Sequence, residues 1–227
     1  MTSILSQYEK KIFSQNGEDG IITTIFNVIG IKNSYFVEFG VGDGNECNTR
    51  LLRENGWNGL WMDGTKSDNS FVYHEKITAE NINSLFEKYS VPHEFDLLSI
   101  DIDSNDYWIY KAINACYSPR VIIVEYNASY PPPQSKTVVY DPDLTWQGTN
   151  YFGASLVAWI NILRARGYSL VGCESRGVNA FFIKNELIRK PFTPLDANEA
   201  FVSPKYGQKN GNDWMGHRSD SRKLQDI

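Results

Sequence analysis

From Gly17 to Gly30, apolar residues recur at the three- and four-residue spacing of one helix face. Ile21, Ile22, Ile25, Phe26 and Ile29 form the stripe, and Gly30 ends it. The period then changes. Tyr35–Gly40 (YFVEFG) and Gly59–Gly64 (GLWMDG) are short, nearly continuous apolar runs cut off by glycine, the pattern of strands buried on both faces. Asn48–Asn55, between them, predicts a helix. Ile77–Asn81 (ITAEN) predicts a short third strand and Asn81–Ser90 a helix. Phe95–Asp103 (FDLLSIDID) predicts a fourth strand, Tyr107–Ala115 a helix, and Arg120–Tyr126 (RVIIVEY) a fifth strand.

Apolar strands that alternate with helices imply a parallel sheet covered on both faces. Right-handed crossovers then place the carboxyl ends of these strands on one edge, where ligands bind. The grammar changes after the fifth strand. Ala128–Asn150 carries Tyr-Pro-Pro-Pro, Asp-Pro-Asp and Trp-Gln-Gly without periodicity, a length of loop that is usually functional or disordered. Ala154–Arg166 predicts a helix, and YSLVGCES and NAFFIK are close enough to pair only as an antiparallel hairpin. The expected organisation is one α/β domain. It comprises a helical segment over 1–34, a cofactor-binding half over 35–126, an acceptor loop, helix and hairpin over 127–184, and an extended arm over 185–227.

Composition narrows the possibilities. A chain of 227 residues with 41% hydrophobic and 22% charged residues supports a full core and excludes collagen and disorder. A net charge of −5 disfavours polyphosphate over most of the surface, so nucleic acid is not the expected partner. No apolar run reaches the roughly 20 residues of a membrane span, and no signal-peptide core opens the chain. Cys47, Cys116 and Cys173 form no pair or zinc pattern, which favours a reduced, cytoplasmic setting. A homo-oligomer is left open.

The chemistry gathers at strand ends. Glu38-Phe-Gly40-Val-Gly42-Asp-Gly44 closes the first strand, where glycines let backbone approach a ligand and the next helix N-terminus favours an anionic group. Asp63, followed by Gly64, closes the second strand, where an acid can accept both ribose hydroxyls of a nucleoside. Dinucleotide sites want a glycine at position 45, and Asn45 stands there. An acid two residues before G-x-G-x-G is instead the pattern of class I methyltransferases, whose donor is S-adenosylmethionine. Tyr107-x-x-x-Lys111 resembles a dehydrogenase dyad but follows the wrong strand.

A second cluster comprises Asp101, Asp103, Asp106, Glu125 and Asn127 at the fourth and fifth strand ends. Period 2 puts Asp101 and Asp103 on one face, and Glu125 and Asn127 on one face. Acids that close need a cation, a proton or a basic group. A sulfonium near Asp101 would supply one charge. Asp101, Glu125 and Asn127 form an all-oxygen set that would suit Mg²⁺ or Mn²⁺, and helix-capping carboxylates are the plainer alternative. Tyr130, Trp146 and Tyr151 in the long loop are candidate acceptor contacts. His217 joins them if the arm folds back, whereas His74 and His93 read as surface residues. Basic residues of the arm, among them Lys205, Lys209 and Arg218, would attract an anionic acceptor.

The ordered blocks SQNGEDGII, FVEFGVGDGNECNTRLL, GWNGLWMDG, ITAENIN, FDLLSIDIDSNDYWIYKAI, PRVIIVEYN and FGASL…GYSLVGCES…GVNAFFI resemble one bacterial group. This group is the FkbM-like and related S-adenosylmethionine-dependent O-methyltransferases that modify sugars and surface polysaccharides. The resemblance runs from about Ser14 to Lys184 and fades in the Pro-rich loop and the arm. It implies a Rossmann-like class I methyltransferase fold: a mostly parallel seven-stranded sheet with a C-terminal antiparallel hairpin and helices on both faces. It further implies that Glu38, Gly40 and Gly42 cradle the methionine moiety and that Asp63 holds the ribose. Glu80 and Asn81 would lie near adenine, and Gln15 would close over the cofactor. Metal-dependent sugar O-methyltransferases of the macrocin type are similar at the fourth and fifth strand ends, where Glu125-Tyr-Asn127 replaces their paired acids. The acceptor implied is a sugar, a nucleotide-activated sugar or a glycan, with Asp101, Asp103 or Glu125 as base or metal holder. A nucleotide-linked oxidoreductase and a nonenzymatic glycan-binding module are the competing readings.

Overall fold

The computed structural model describes residues 4–227. Its centre is a seven-stranded sheet. Strands β1 (Tyr35–Phe39), β2 (Asn58–Asp63), β3 (Val72–His74), β4 (Glu94–Ile100) and β5 (Ser118–Glu125) run parallel. After the two-residue β6 (Lys136–Thr137) come β7 (Tyr168–Cys173) and β8 (Asn179–Lys184), an antiparallel hairpin. β8 pairs antiparallel with β5, which gives the order β3-β2-β1-β4-β5-β8-β7. This is a Rossmann-like, mostly parallel seven-stranded α/β sheet, with the C-terminal antiparallel hairpin where the sequence places it.

Alternation along each strand divides the core into two layers. On one face, Phe36, Trp61, Leu97, Val121, Ile123 and Phe181 pack with α1 (Glu18–Ile29) and α2 (Arg50–Glu54) through Ile21, Ile25, Phe26 and Leu52. On the other, Val37, Phe39, Leu98, Ile100 and Val124 meet α3 (Ile82–Lys88), α4 (Asp106–Ala112) and α5 (Leu156–Ala165), with Trp159 fully buried. Both faces are therefore covered.

Three expectations change. The third strand lies at Val72–His74 rather than Ile77–Asn81. It is a three-residue edge strand paired to Trp61–Asp63, and Tyr73 is exposed, so it lacks a run buried on both faces. Ile77 is buried, but Thr78–Asn81 is a turn in which Asn81 Oδ1 accepts the Thr78 N–H at 2.8 Å. The fourth strand ends at Ile100, so Asp101 and Asp103 belong to a turn; Asp103 has a left-handed φ of 57°. The arm is structured: a capped turn of helix, α6 (Ala197–Ala200), precedes the hairpin β9 (Gln208–Asn210) and β10 (Asp213–Gly216). β11 (Gln225–Asp226) then pairs with β6.

Candidate active-site cleft

A cleft of about 1380 Å³ opens at the carboxyl ends of β1, β2 and β4. Among the candidate residues of the sequence, Gln15, Glu38, Gly40, Gly42, Asp63, Gly64, Asp101, Asp103 and Trp146 line it, and Glu125 does not. The glycine turn is dictated by sterics. A Cβ on Gly40 (φ 76°) would sit 1.4 Å from the Asp101 carbonyl oxygen, so only glycine lets β1 and β4 end side by side. Gly42 (φ 57°) differs: a Cβ there would meet nothing within 4 Å, because it faces open space.

Two acids hold this turn. Glu38, 3% exposed, accepts the N–H groups of Asn48 and Thr49 at 2.8 and 2.9 Å and the Thr49 hydroxyl at 2.5 Å. Trp61 Nε1 donates in turn to that hydroxyl. The entry to α2, expected to favour an anionic ligand group, is thus already filled by the protein's own carboxylate. Asp63, 8% exposed, accepts the Gly42 N–H at 2.7 Å and the Thr65 N–H at 2.6 Å. Each oxygen keeps a lone pair for a further donor.

Asp101, Asp103 and Glu125 converge, with carboxylate oxygens all within 4.8 Å of one another. The turn after β4 produces this convergence, rather than strand alternation. Burial, followed by the neighbouring acids, raises the carboxyl pKa values of Asp101 and Glu125 well above the ordinary range. Asp103 is pushed up to about 6 by burial, then by Asp106 and Asp63. Asp106 is a true turn cap that accepts the Ile102 and Ser104 N–H groups. Glu125 Oε2 is buried without a donor, and the Asp101 carboxyl is close enough to share a proton with Glu125. Among the described residues, none of these acids has a cationic partner within ion-pair distance. Buried Asp96 provides the contrast: Arg120 pairs with it at 2.6 Å. The chain neutralises a structural acid and leaves the cleft acids for a cation, a proton or a metal.

The acceptor side is only partly as expected. Trp146 lines the cleft together with Pro142–Thr145. Asn127 does not face it and is not placed as a metal ligand. It is fully buried, its Nδ2 donates to the Asn150 and Phe152 carbonyls, and its Oδ1 accepts the Ser129 N–H. Tyr130 and Tyr151 pack behind the loop with Val138 and Leu224. Glu80 and Asn81 also lie outside the cleft wall. Asn81 closes the turn before α3, and Glu80 accepts the Tyr140 hydroxyl, clamping the loop from outside. His217 is brought back by the arm and sits among Trp146, Phe152 and Tyr206 at centroid distances of 4.7, 5.8 and 5.1 Å. Burial lowers its pKa. It buttresses Trp146 from behind and is not itself part of the cleft lining.

Several lining residues escaped sequence reasoning. Lys66–Asn69 follow β2 without periodicity, and Asn69 Nδ2 reaches back to the Asp43 carbonyl at 2.9 Å. Lys76, which pairs with Asp143, joins the post-β3 turn to the loop at the cleft wall. Asn179, the first residue of β8, lines the cleft, and only the sheet register, which pairs it with Glu125, could have located it.

No family model and no curated protein matches the chain. Solved structures do resemble it. An S-adenosylmethionine-dependent methyltransferase from Mesorhizobium loti is 13% identical over 74% of this chain and 100% of that one, with a TM-score of 0.42. An O-methyltransferase family protein from Burkholderia thailandensis is 11% identical over 73% and 57%, with a TM-score of 0.37. The small RNA methyltransferase HEN1 is 11% identical with a TM-score of 0.40; the match covers 76% of this chain but only 26% of that longer one. Likeness at this level carries no functional weight, and the chemistry has to be read from the cleft.

Proposed function

We propose that the chain is an S-adenosylmethionine-dependent O-methyltransferase acting on a hydroxyl of a sugar, nucleotide-activated sugar or glycan. The observation that carries the reading is the pairing of the Gly40–Gly44 turn, bonded to Asp63, with cleft acids that lack a counter-cation. These residues fit a cationic nucleoside. Burial and mutual repulsion favour the protonated forms of Glu125 and the adjoining Asp101, and a positive group in the cleft would instead stabilise their ionised forms. A phosphate-rich cofactor fits poorly, because Glu38 occupies the helix entry and the bordering acids Asp43, Glu46, Asp68 and Asp143 outnumber the bordering cations Lys66 and Lys76. The same acidic border disfavours a nucleic-acid acceptor.

The bound donor would supply an electrophilic methyl group on a sulfonium. Asp63 would accept ribose hydroxyls through its free lone pairs while its backbone bonds keep the turn in place. Asp101 lines the cleft, with Glu125 near it but outside the lining, and would take the acceptor's hydroxyl proton once the donor's positive charge favours its ionised form. Such a base contributes roughly 10²–10⁴-fold. The oxygens of Asp101, Asp103 and Glu125 can alternatively hold Mg²⁺ or Mn²⁺, which would lower the hydroxyl's pKa. Trp146 offers an aromatic wall, held at the back by His217, against which the C–H face of a sugar ring can stack.

The test is release of S-adenosylhomocysteine across a panel of nucleotide-activated sugars and glycans, with and without chelator. A thermal shift with S-adenosylmethionine and none with NAD separates this reading from the oxidoreductase. Turnover separates it from a binding module. Full activity in excess chelator discards the metal and keeps the base. Full activity of both Asp101→Asn and Glu125→Gln discards both.

A further inference from the structure

The N-terminal motif Ser14–Ile22 and strand β8 share a polar network that the chemistry above does not use. Asp19 Oδ2 accepts the N–H groups of Ile12, Phe13 and Ser14 and the Ser14 hydroxyl, folding this segment against the start of α1. Glu18 beside it is fully buried. Its Oε2 accepts the Asn16 N–H at 2.7 Å, and its Oε1 accepts Asn179 Nδ2 at 2.8 Å. The Asn179 N–H donates to Glu174 Oε1 at 3.1 Å. The Glu18 bond orients the carboxamide, because a flipped Asn179 would set its oxygen against the Glu18 carboxylate. Asn179 is 3% exposed and lines the cleft, and its Oδ1 is buried without a hydrogen-bond partner. A buried amide oxygen left without a donor costs about 1–3 kcal/mol. At the wall of a ligand cleft, such an atom points to an N–H or O–H on the ligand.

Charge decides between those donors. Glu18 and Glu174 are both fully buried, and their donors are neutral amides: Asn16 and Asn179 for Glu18, and the N–H groups of Arg176, Val178 and Asn179 for Glu174. Neither carboxylate has a Lys or Arg partner among the described residues. A hydroxyl or neutral amide would satisfy Asn179 Oδ1 but leave the adjoining Glu18 without a counter-charge, whereas an ammonium group brings both a donor and a positive charge. We infer that Asn179 Oδ1, backed by Glu18 and Glu174, binds the α-ammonium group of the donor's methionine moiety. The inference rests on the S-adenosylmethionine reading above. It gives the Ser14–Ile22 motif a role: to carry a carboxylate across to β8 and aim the amide oxygen at the cleft.

Calorimetry with three ligands tests it. S-Adenosylhomocysteine carries the ammonium group, its deamino analogue lacks only that group, and 5′-methylthioadenosine lacks the whole amino-acid end. Asn179→Leu keeps the side chain's size and removes the acceptor. It should weaken S-adenosylhomocysteine by roughly 10- to 100-fold, the range of one hydrogen bond to a charged group. The other two ligands should stay within about twofold, which also shows that the variant is folded. Equal loss for all three ligands, or loss for none, overturns the inference. Should the variant fail to fold, the wild-type protein still decides: equal affinity for S-adenosylhomocysteine and its deamino analogue overturns the inference, and a clear preference for the former supports it. A wild-type chain that binds none of the three removes the donor reading itself, and the ammonium site with it.

Discussion

Gly40 and Gly42 look alike in the sequence, two glycines in one turn with positive φ, yet they serve different ends. At Gly40 the obstacle is the Asp101 backbone 1.4 Å from any Cβ, which no rotamer change relieves. Gly40→Ala should therefore separate β1 from β4 and abolish cooperative folding or donor binding, as read by thermal melting. Gly42→Ala meets no atom and pays only for its left-handed backbone, about 1–2 kcal/mol. It should fold with a modestly lower Tm. Comparable behaviour of the two variants would contradict the steric account. Asp63 likewise does two jobs, because it already accepts two backbone N–H groups. Asp63→Asn should cost roughly 1.5–3 kcal/mol of S-adenosylmethionine affinity by calorimetry, the range of hydrogen bonds to a charged group. Unchanged affinity in the folded variant would remove Asp63 from the site.

At the scale of elements, the strands were legible wherever both faces are buried, because a short continuous apolar run, cut off by glycine after β1 and β2, fits neither a one-sided helix nor a solvated loop. Val72–His74 was not legible, since three residues at a half-exposed edge leave no pattern. The turn that gathers Asp101 and Asp103 was legible in its residues but not in its geometry. The arm's return entered the sequence reading only as a condition on His217, and its contacts were not legible. It depends on contacts between distant segments: Thr149 Oγ1 donates to Asp220 at 2.6 Å, Asn150 N–H to the Arg218 carbonyl, and Asp220 N–H to Asn150 Oδ1. These bonds hold the stretch that carries Trp146. Asp220→Ala should accelerate protease cleavage within residues 130–151 and raise the acceptor KM, while donor affinity stays near wild type. Trp146→Ala should raise the acceptor KM without exposing the loop to protease. If Trp146→Ala leaves the acceptor KM unchanged, the loop is not the acceptor wall.

Across the whole molecule, buried acids outnumber the cations that could answer them, and this makes stability depend on pH in a definite direction. Asp103 is raised from 3.8 to about 6 by burial and then by Asp106 and Asp63. Glu174 is raised from 4.5 to about 7 by burial and by Glu18, against the lowering effect of its backbone bonds. A carboxyl whose pKa is higher folded than unfolded holds its proton more tightly in the folded state. Its contribution to stability is present in full below the unfolded value and is lost as pH rises through the folded one. The ligand-free chain should therefore lose melting temperature between about pH 4 and 7. Asp103→Asn should flatten that slope and recover on the order of 1–3 kcal/mol at neutral pH. The same charge should discriminate between donor and product. S-Adenosylmethionine carries one positive charge more than S-adenosylhomocysteine, so its advantage in affinity should widen as Asp103 and its neighbours ionise. The dissociation constant of S-adenosylhomocysteine divided by that of S-adenosylmethionine, measured by calorimetry at about pH 5 and about pH 8, should rise with pH in the wild type and rise less in Asp103→Asn. A ratio that does not change with pH would mean that the acids gathered at the ends of β4 and β5 do not face the sulfonium.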